Sequence, residues 1–474
     1  MKILRGTATF LALLPCCFGE SRVLGILNQE LDRNFRILKE KADPPPYFIS
    51  YEVSEEESRH ISATLGALTG DSGGRSRYLD VSLRTGDRKL DNYHRVRGER
   101  GQFTSGARIS IDDDPASIQQ QVWIETDRAY RAAAERLIKI RSNEQMRVAA
   151  EDPSDDFSVE PPSVHSEPPP QLRWDAQVWK DRVRNLSASF RRYPEILVSQ
   201  VTLSVQRETK YFVSTEGSRL EQGRSFVRVS ISAEGRAEDG MNLATFESFD
   251  AADPAGLPSE EALLNAVNGV AKDLTALLHA PVVDPYLGPA IFSGRASGVF
   301  FHEIFGHRIE GHRQKDESEG QTFTKSLGKS VLPDFLSVIF DPTLHKFQGT
   351  DLNGWYGFDD EGIAGQRFTA VDHGILKAFL MSRSPIRGFD HSNGHGRRQP
   401  GLEVVSRQSN LLVDSTKTVA DAKLREMLIE EVKRQKKPYG LYFKEVTGGF
   451  TTTARAGMQA FKVLPLVVYR VTPE

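Results

Sequence analysis

Residues 299–314, Val-Phe-Phe-His-Glu-Ile-Phe-Gly-His-Arg-Ile-Glu-Gly-His-Arg-Gln, constrain the fold of this chain more than any other stretch. Three of its eleven histidines, His302, His307 and His312, stand there with two carboxylates, Glu303 and Glu310. Val299, Phe300, Phe301, Ile304, Phe305 and Ile309 interleave with them. Ionisable groups inside so apolar a run point to a metal site on a buried helix.

The spacing makes that expectation specific. Histidines four apart share one helix face and converge on a zinc ion. His302 and His307 are five apart, which leaves them about 140° apart around a regular helix. They converge only if the helix bulges or ends between them, and Gly306 is where such a departure costs least. Glu303 would then be the general base, taking a proton from a metal-activated water. Spacing alone leaves a second reading open: buried histidines among aromatic rings, satisfied by hydrogen bonds.

The rest of the chain sets the context. Its 474 residues suggest two to three domains. With 61 basic against 64 acidic residues the net charge is −3, so nothing points to nucleic acid. Residues 1–19 read as a cleaved export signal. Lys2 and Arg5 open it, 8–17 is mainly apolar, and Gly19 with Cys17 supplies the small residues of a cleavage site. A proline before Cys16 makes a poor lipoprotein signal. The run is too short to span a bilayer. The expected destination is therefore periplasmic or secreted, with no membrane span once the signal is gone. Cys16 and Cys17 both lie inside it, so its removal leaves no thiol for disulfides, zinc fingers or a cysteine nucleophile.

Helices are expected over 22–39, 114–147, 174–193, 259–279 and 419–436, from apolar residues at three- and four-residue steps. Strands are expected over 47–53, 61–67, 197–205, 226–232, 335–340, 367–371 and 375–381, with turns at 70–74 and Gly217. The segment 151–170 holds six acidic residues and six prolines, the composition of a solvated linker or exposed insertion. Residues 359–361, Asp-Asp-Glu, read as an acidic turn completed by Gly362. Arg397 and Arg398 read as a grip for a substrate carboxylate or as a solvated basic turn. No phosphate-binding loop, dinucleotide fingerprint or serine nucleophile elbow is present.

His-Glu-Ile-Phe-Gly-His followed by Ile309-Glu310-Gly311 resembles the signature of the TldD/PmbA family of peptidases. Gly288-Pro289-Ala290-Ile291-Phe292 fits before it, and 359–362, 374–376 and Ser382-Arg383 fit after it. Gly394-His395-Gly396-Arg397-Arg398 is similar to the family's Gly-Asn-Gly-Arg-Arg, with His395 in place of asparagine. Residues 409–411 and 440–442 complete the series, in family order from about 286 to 450.

The resemblance implies an α+β fold of two domains. A mixed α+β N-terminal domain would cover 20–280, including the insertion 151–170. A strand-rich C-terminal metallopeptidase domain carrying the metal-binding helix would cover 281–474. It implies a zinc-dependent peptidase acting on unfolded or flexible peptides bound in extended form, with zinc on His302 and His307 and Glu303 as base. It also implies a homodimer or a heterodimer with a related subunit. The family's third zinc ligand is a cysteine close to its C-terminus, and none stands after Cys17 here. His312, His395, His391 and Glu310 are the local substitutes. Without one, the alternative is a non-catalytic TldD/PmbA-like subunit or peptide-binding scaffold.

Overall fold

A computed structural model of the chain describes residues 21–96, 104–144, 152–458 and 460–473. The export segment expected at 1–19, with Cys16 and Cys17, lies outside the described residues. Among those described, no helix is long and apolar enough to cross a membrane.

The first half is built on long antiparallel strands: β1 (Pro46–Thr64), β2 (Ala67–Thr85), β3 (Val198–Ser214), β4 (Arg219–Arg236) and β5 (Asn242–Ala251). They pair in the order β2-β1-β3-β4-β5, and two short strands, Ala107–Arg108 and Val164–Ser166, extend the sheet to seven. Alternation along each strand separates two faces. One face is apolar. Ile49, Tyr51 and Val53 of β1, with Leu79, Val81 and Leu83 of β2, are buried under α1 (Arg22–Lys41) and α2 (Pro115–Glu144). Ile61 and Ala63, with Val201, Leu203, Val227 and Val229, are buried under α3 (Ala176–Ala188) and α4 (Glu260–Leu278). Side-chain caps begin these helices: Ser21 accepts from the Leu24 amide, Asp175 from Gln177, and Ser259 from Ala262.

The opposite face carries Glu52, Asp80, Arg84 and Lys210, all of them buried or nearly so. What covers it is the C-terminal half. The Lys210 ammonium donates to Asp360 at 2.6 Å, the Arg398 guanidinium meets Glu52 at 3.4 Å, and Arg397 donates to Asp360 at 3.2 Å. Burial alone would push the Asp360 carboxyl up; Arg397 and Lys210 outweigh it and hold that group far below the usual carboxylate range.

The second half begins with β6 (Ala290–Phe292) and α5 (Gly294–Ile304), and continues through β7 (Leu336–Phe340), β8 (Phe368–Asp372) and β9 (Leu411–Ser415). β7 is central, with β8 on one side and β9 on the other. After α6 (Asp421–Arg434), strands β10 (Gly440–Thr452) and β11 (Ala460–Val471) form a hairpin on which β6 lies parallel to β10. The architecture is α+β and strand-rich.

Four expectations need correction. The strands expected at 47–53 and 61–67 are one strand, β1. Residues 70–74 are not a turn: Gly70, Gly73 and Gly74 pair with Ser62, Arg59 and Ser58 inside the sheet. The reversal falls at Leu65 and Gly66, with φ of 47° and 82°, the double left-handed conformation that suits a tight hairpin. The strand expected over 375–381 is regular only at Ile375–Leu376.

The segment 151–170 is not solvated throughout: among its described residues Asp156, Phe157 and Ser158 are buried, while 159–170 are exposed or half-buried, as an exposed insertion would be. Phe157 is only 2% exposed, and its ring lies 3.9 Å from the guanidinium carbons of both Arg84 and Arg383. Asp156 is buried against His94 and Lys315. Acidic and proline-rich composition signals solvation only where no cationic surface waits for it.

Candidate metal centre

Ser293 caps α5 by accepting from the Ala296 amide, and the helix runs regularly to Ile304. It is only partly buried, with Ala296 and Glu303 its buried residues, so the fully buried helix expected from its aromatic content is not found. Phe305 then leaves helical geometry, with φ −122° and ψ −57°. Gly306–Ile309 continue as one tighter 3₁₀ turn. Phe305 is the anchor of this junction, buried against Phe323 with ring centroids 5.5 Å apart.

The departure brings the two histidines together. The rings of His302 and His307 have centroids 4.5 Å apart and lie 79° from coplanar. Ligand-capable atoms of His302, Glu303 and His307 all fall within 4.8 Å of one another. Gly306 has a different reason from the expected backbone freedom. The Gln408 amide occupies the space where a Cβ would stand, so any larger residue would overlap it.

Each member of the cluster is held from outside. Glu303 is buried; the Thr451 hydroxyl of β10 donates to its Oε2 at 2.6 Å, and the missing side chain of Gly449 makes room for its Cγ. Nδ1 of His307 lies 3.0 Å from Oε1 of Glu310. An imidazole N–H held by a carboxylate fixes the tautomer and leaves Nε2 with the lone pair, the arrangement metal-binding histidines commonly show. Glu310 is fully buried, and Arg313 donates to its Oε2 at 2.7 Å. Burial would raise that carboxyl; the His307 hydrogen bond and the charges of His312, Arg407 and Arg313 prevail and hold it at about 2. His302 is 47% exposed, and partial burial followed by the nearby His307 pushes its imidazole below the ordinary value. A neutral imidazole is the form that binds metal.

The substitutes for a third ligand do not join the cluster. Glu310 stands behind His307. His312 is pushed down to about 3 by burial, and its Nε2 lies 3.9 Å from Glu310. His395 is fully buried between Asn393 and Ser409, with Nε2 3.0 Å from the Ser409 hydroxyl. His391 is exposed near Glu160. Arg398 is 1% exposed and Arg397 is engaged with Asp360, so neither is a solvated basic turn or a free grip for a carboxylate. The acidic turn is there as expected: Gly362 has φ 80°, and Asp359 accepts from the amides of Glu361, Ile363 and Gly396.

Glu310 was within reach of sequence reasoning as a support rather than a ligand, since it stands three residues after His307. Thr451, Arg407 and Gln408 were not, because they arrive from more than 90 residues away in the sequence.

Fold and cluster together define a two-domain α+β protein with a His-Glu-His set that could hold a metal at the broken end of a helix. Residues 286–465 match the PmbA/TldA metallopeptidase C-terminal domain. A metalloprotease of Archaeoglobus fulgidus is 31% identical over 216 residues, which cover 45% of this chain and 44% of that relative. A zinc metalloprotease TldD homolog of Saccharolobus solfataricus is 28% identical over 95 residues, 20% of each. The crystal structure of TldE from Thermococcus kodakarensis superposes with a TM-score of 0.60 at 14% identity, covering 94% of this chain and 88% of that one, a likeness of fold. Residues 286–465 are thus similar to the C-terminal domain of the PmbA/TldD metallopeptidases, and the fold as a whole is similar to that of TldE. The matched stretch spans less than half of the Archaeoglobus relative.

Proposed function

We propose that this protein is a zinc-dependent peptidase that hydrolyses unfolded or flexible peptides, with Glu303 as general base. The observation that carries the reading is the convergence of His302, Glu303 and His307, with His307 oriented by Glu310. Two imidazoles with a carboxylate beside them suit zinc and a base, and one relative carries zinc in its name.

His302 and His307 would hold the ion through their ring nitrogens. Zinc, when bound, supplies Lewis acidity that brings the pKa of a water from 15.7 down to roughly 7 and polarises a peptide carbonyl. Glu303 keeps Oε2 in the Thr451 hydrogen bond, which leaves Oε1 to take the proton of the attacking water and pass it to the departing amine. Glu310 keeps the His307 ring in one orientation throughout. Export through the segment 1–19 and assembly as a homodimer or with a related subunit belong to the same proposal.

The test is metal analysis of the purified chain together with cleavage of a labelled unstructured peptide by wild type and Glu303→Gln. Activity unchanged by the substitution would sink the mechanism.

One observation favours a second reading. Among the described residues no fourth His, Cys, Asp or Glu joins the cluster, and Glu303 cannot serve as ligand and base at once. A non-catalytic, peptide-binding subunit would need neither. Stoichiometric zinc accompanied by proteolysis removes that alternative.

A further inference from the structure

A cleft of about 490 Å³ opens beside the metal-ligand cluster, between the 353–356 loop and residues 397–408, with Arg224 of β4 on its far wall. Four arginines line it, Arg224, Arg397, Arg398 and Arg407, against one carboxylate, Glu403, which already pairs with Arg95. Three of the four are committed. Arg398 is buried against Glu52, and Arg397 bonds to Asp360 and lies 4.1 Å from the Tyr356 ring. Arg224 donates to Glu208 at 2.6 Å and to the Asn353 carbonyl at 3.1 Å.

Arg407 differs. Its side chain is 43% exposed, and its one ionic contact among the described residues is 3.5 Å to Oε1 of Glu310, an oxygen that already takes His307 Nδ1. Its guanidinium fork is therefore unsaturated on the cleft side. The next residue, Gln408, brings a buried amide against Gly306, between the two histidines in sequence. Among the described residues neither Oε1 nor Nε2 of that amide has a hydrogen-bond partner. An unpaired buried amide is costly unless something enters to pair with it, and its donor and acceptor together match the main chain of an extended peptide. Two consecutive residues thus link the cleft to the cluster, one through Glu310 and one through Gly306.

We propose that this cleft is a subsite for a peptide carboxylate close to the cleaved bond, gripped by Arg407, with the Gln408 amide hydrogen-bonded to the peptide main chain. The inference rests on the peptidase reading for its substrate class. Either a Glu or Asp side chain or the peptide's own C-terminal carboxylate supplies the group, since both offer the planar pair of oxygens that a guanidinium binds in bidentate fashion.

The experiment measures binding rather than turnover. Fluorescein-labelled octapeptides are titrated by anisotropy into zinc-loaded full-length Glu303→Gln protein. One peptide has a free C-terminus, one is amidated, and two amidated peptides differ only by Glu or Gln at an internal position. The expected result is roughly tenfold to a hundredfold tighter binding of a carboxylate-bearing peptide than of its neutral partner. The preference should disappear in Arg407→Gln and survive in part in Arg407→Lys. Free acid over amide identifies the chain terminus; Glu over Gln identifies the side chain. Equal affinity for charged and neutral peptides in the parent protein overturns the subsite, whether or not any variant folds. So does a preference that persists in Arg407→Gln. Selective binding without cleavage by wild type would sink the peptidase reading and leave the subsite standing. Cleavage without selectivity does the reverse, and the absence of peptide binding refutes both.

Discussion

Two clusters of ionisable side chains lie in this molecule, and they are built on opposite plans. In the network between the large sheet and the C-terminal half, Lys210, Asp360, Arg397, Arg398 and Glu52 face one another, and each charge is met by another. In the cluster at the end of α5, His302, Glu303 and His307 point at a common space, while Thr451 and Glu310 support them from behind. The first arrangement pairs its charges within itself. The second gathers its potential ligand atoms within 4.8 Å of one another. Burying polar groups is costly in both places, and on the proposed reading the difference separates cohesion from chemistry.

Substitutions that separate the two plans give the largest effects. Glu303→Gln should lower kcat/KM on a labelled peptide by about 10²–10⁴-fold while metal content and urea midpoint stay near wild type. A variant that melts early instead would mean that Glu303 belongs with the structural network. Asp360→Ala should do the opposite. It leaves Lys210 and Arg397 buried without their partner, at a cost of about 3–5 kcal/mol in urea unfolding, with zinc stoichiometry unchanged. Glu310→Gln sits between them. Losing the carboxylate behind His307 should weaken zinc binding by roughly 10- to 100-fold in a chelator competition, through the ring it orients. A loss of stability with zinc affinity intact would move Glu310 into the structural class.

The same contrast explains how much could be read beforehand. The convergence of His302, Glu303 and His307 was legible because all three stand in six consecutive residues whose spacing requires a helix break, which falls at Phe305 rather than through backbone freedom at Gly306. The helices were legible from period, and α1 and α4 start where their serine caps stand. What failed were features whose cause lies elsewhere in the sequence. Leu65 carries no turn signature, yet it takes φ 47° because 18 paired positions of β1 and β2 fix the register. The acidic stretch around Asp156 gave no hint that Arg84, Lys315 and Arg383 would receive it. Arg397 and Arg398 looked available because Asp360 and Glu52, which engage that turn, come from distant segments. Arg407, with nothing in its neighbours to distinguish it, is the arginine left open.

The smallest expected effect probes the saturated plan most finely. His395 replaces the asparagine of the resembling motif, and it is fully buried with both ring nitrogens engaged by Asn393 and Ser409. Burial holds its imidazole down to about 4, against about 6.5 in an unfolded chain. Between those values the unfolded chain carries a proton that the folded one does not. Stability from this group is therefore complete above about pH 6.5 and falls as pH drops toward 4, by up to about 1.4 kcal/mol per pH unit. His395→Asn removes that titration and should change stability at pH 7 by only about 1 kcal/mol. His312, held at about 3, has the same sign and remains in the variant. Urea midpoints at pH 7, 6 and 5 should therefore fall less steeply for His395→Asn than for wild type, without becoming flat. Parallel pH profiles would mean that His395 accepts a proton in the folded protein, and that this region is less closed than its hydrogen bonds require.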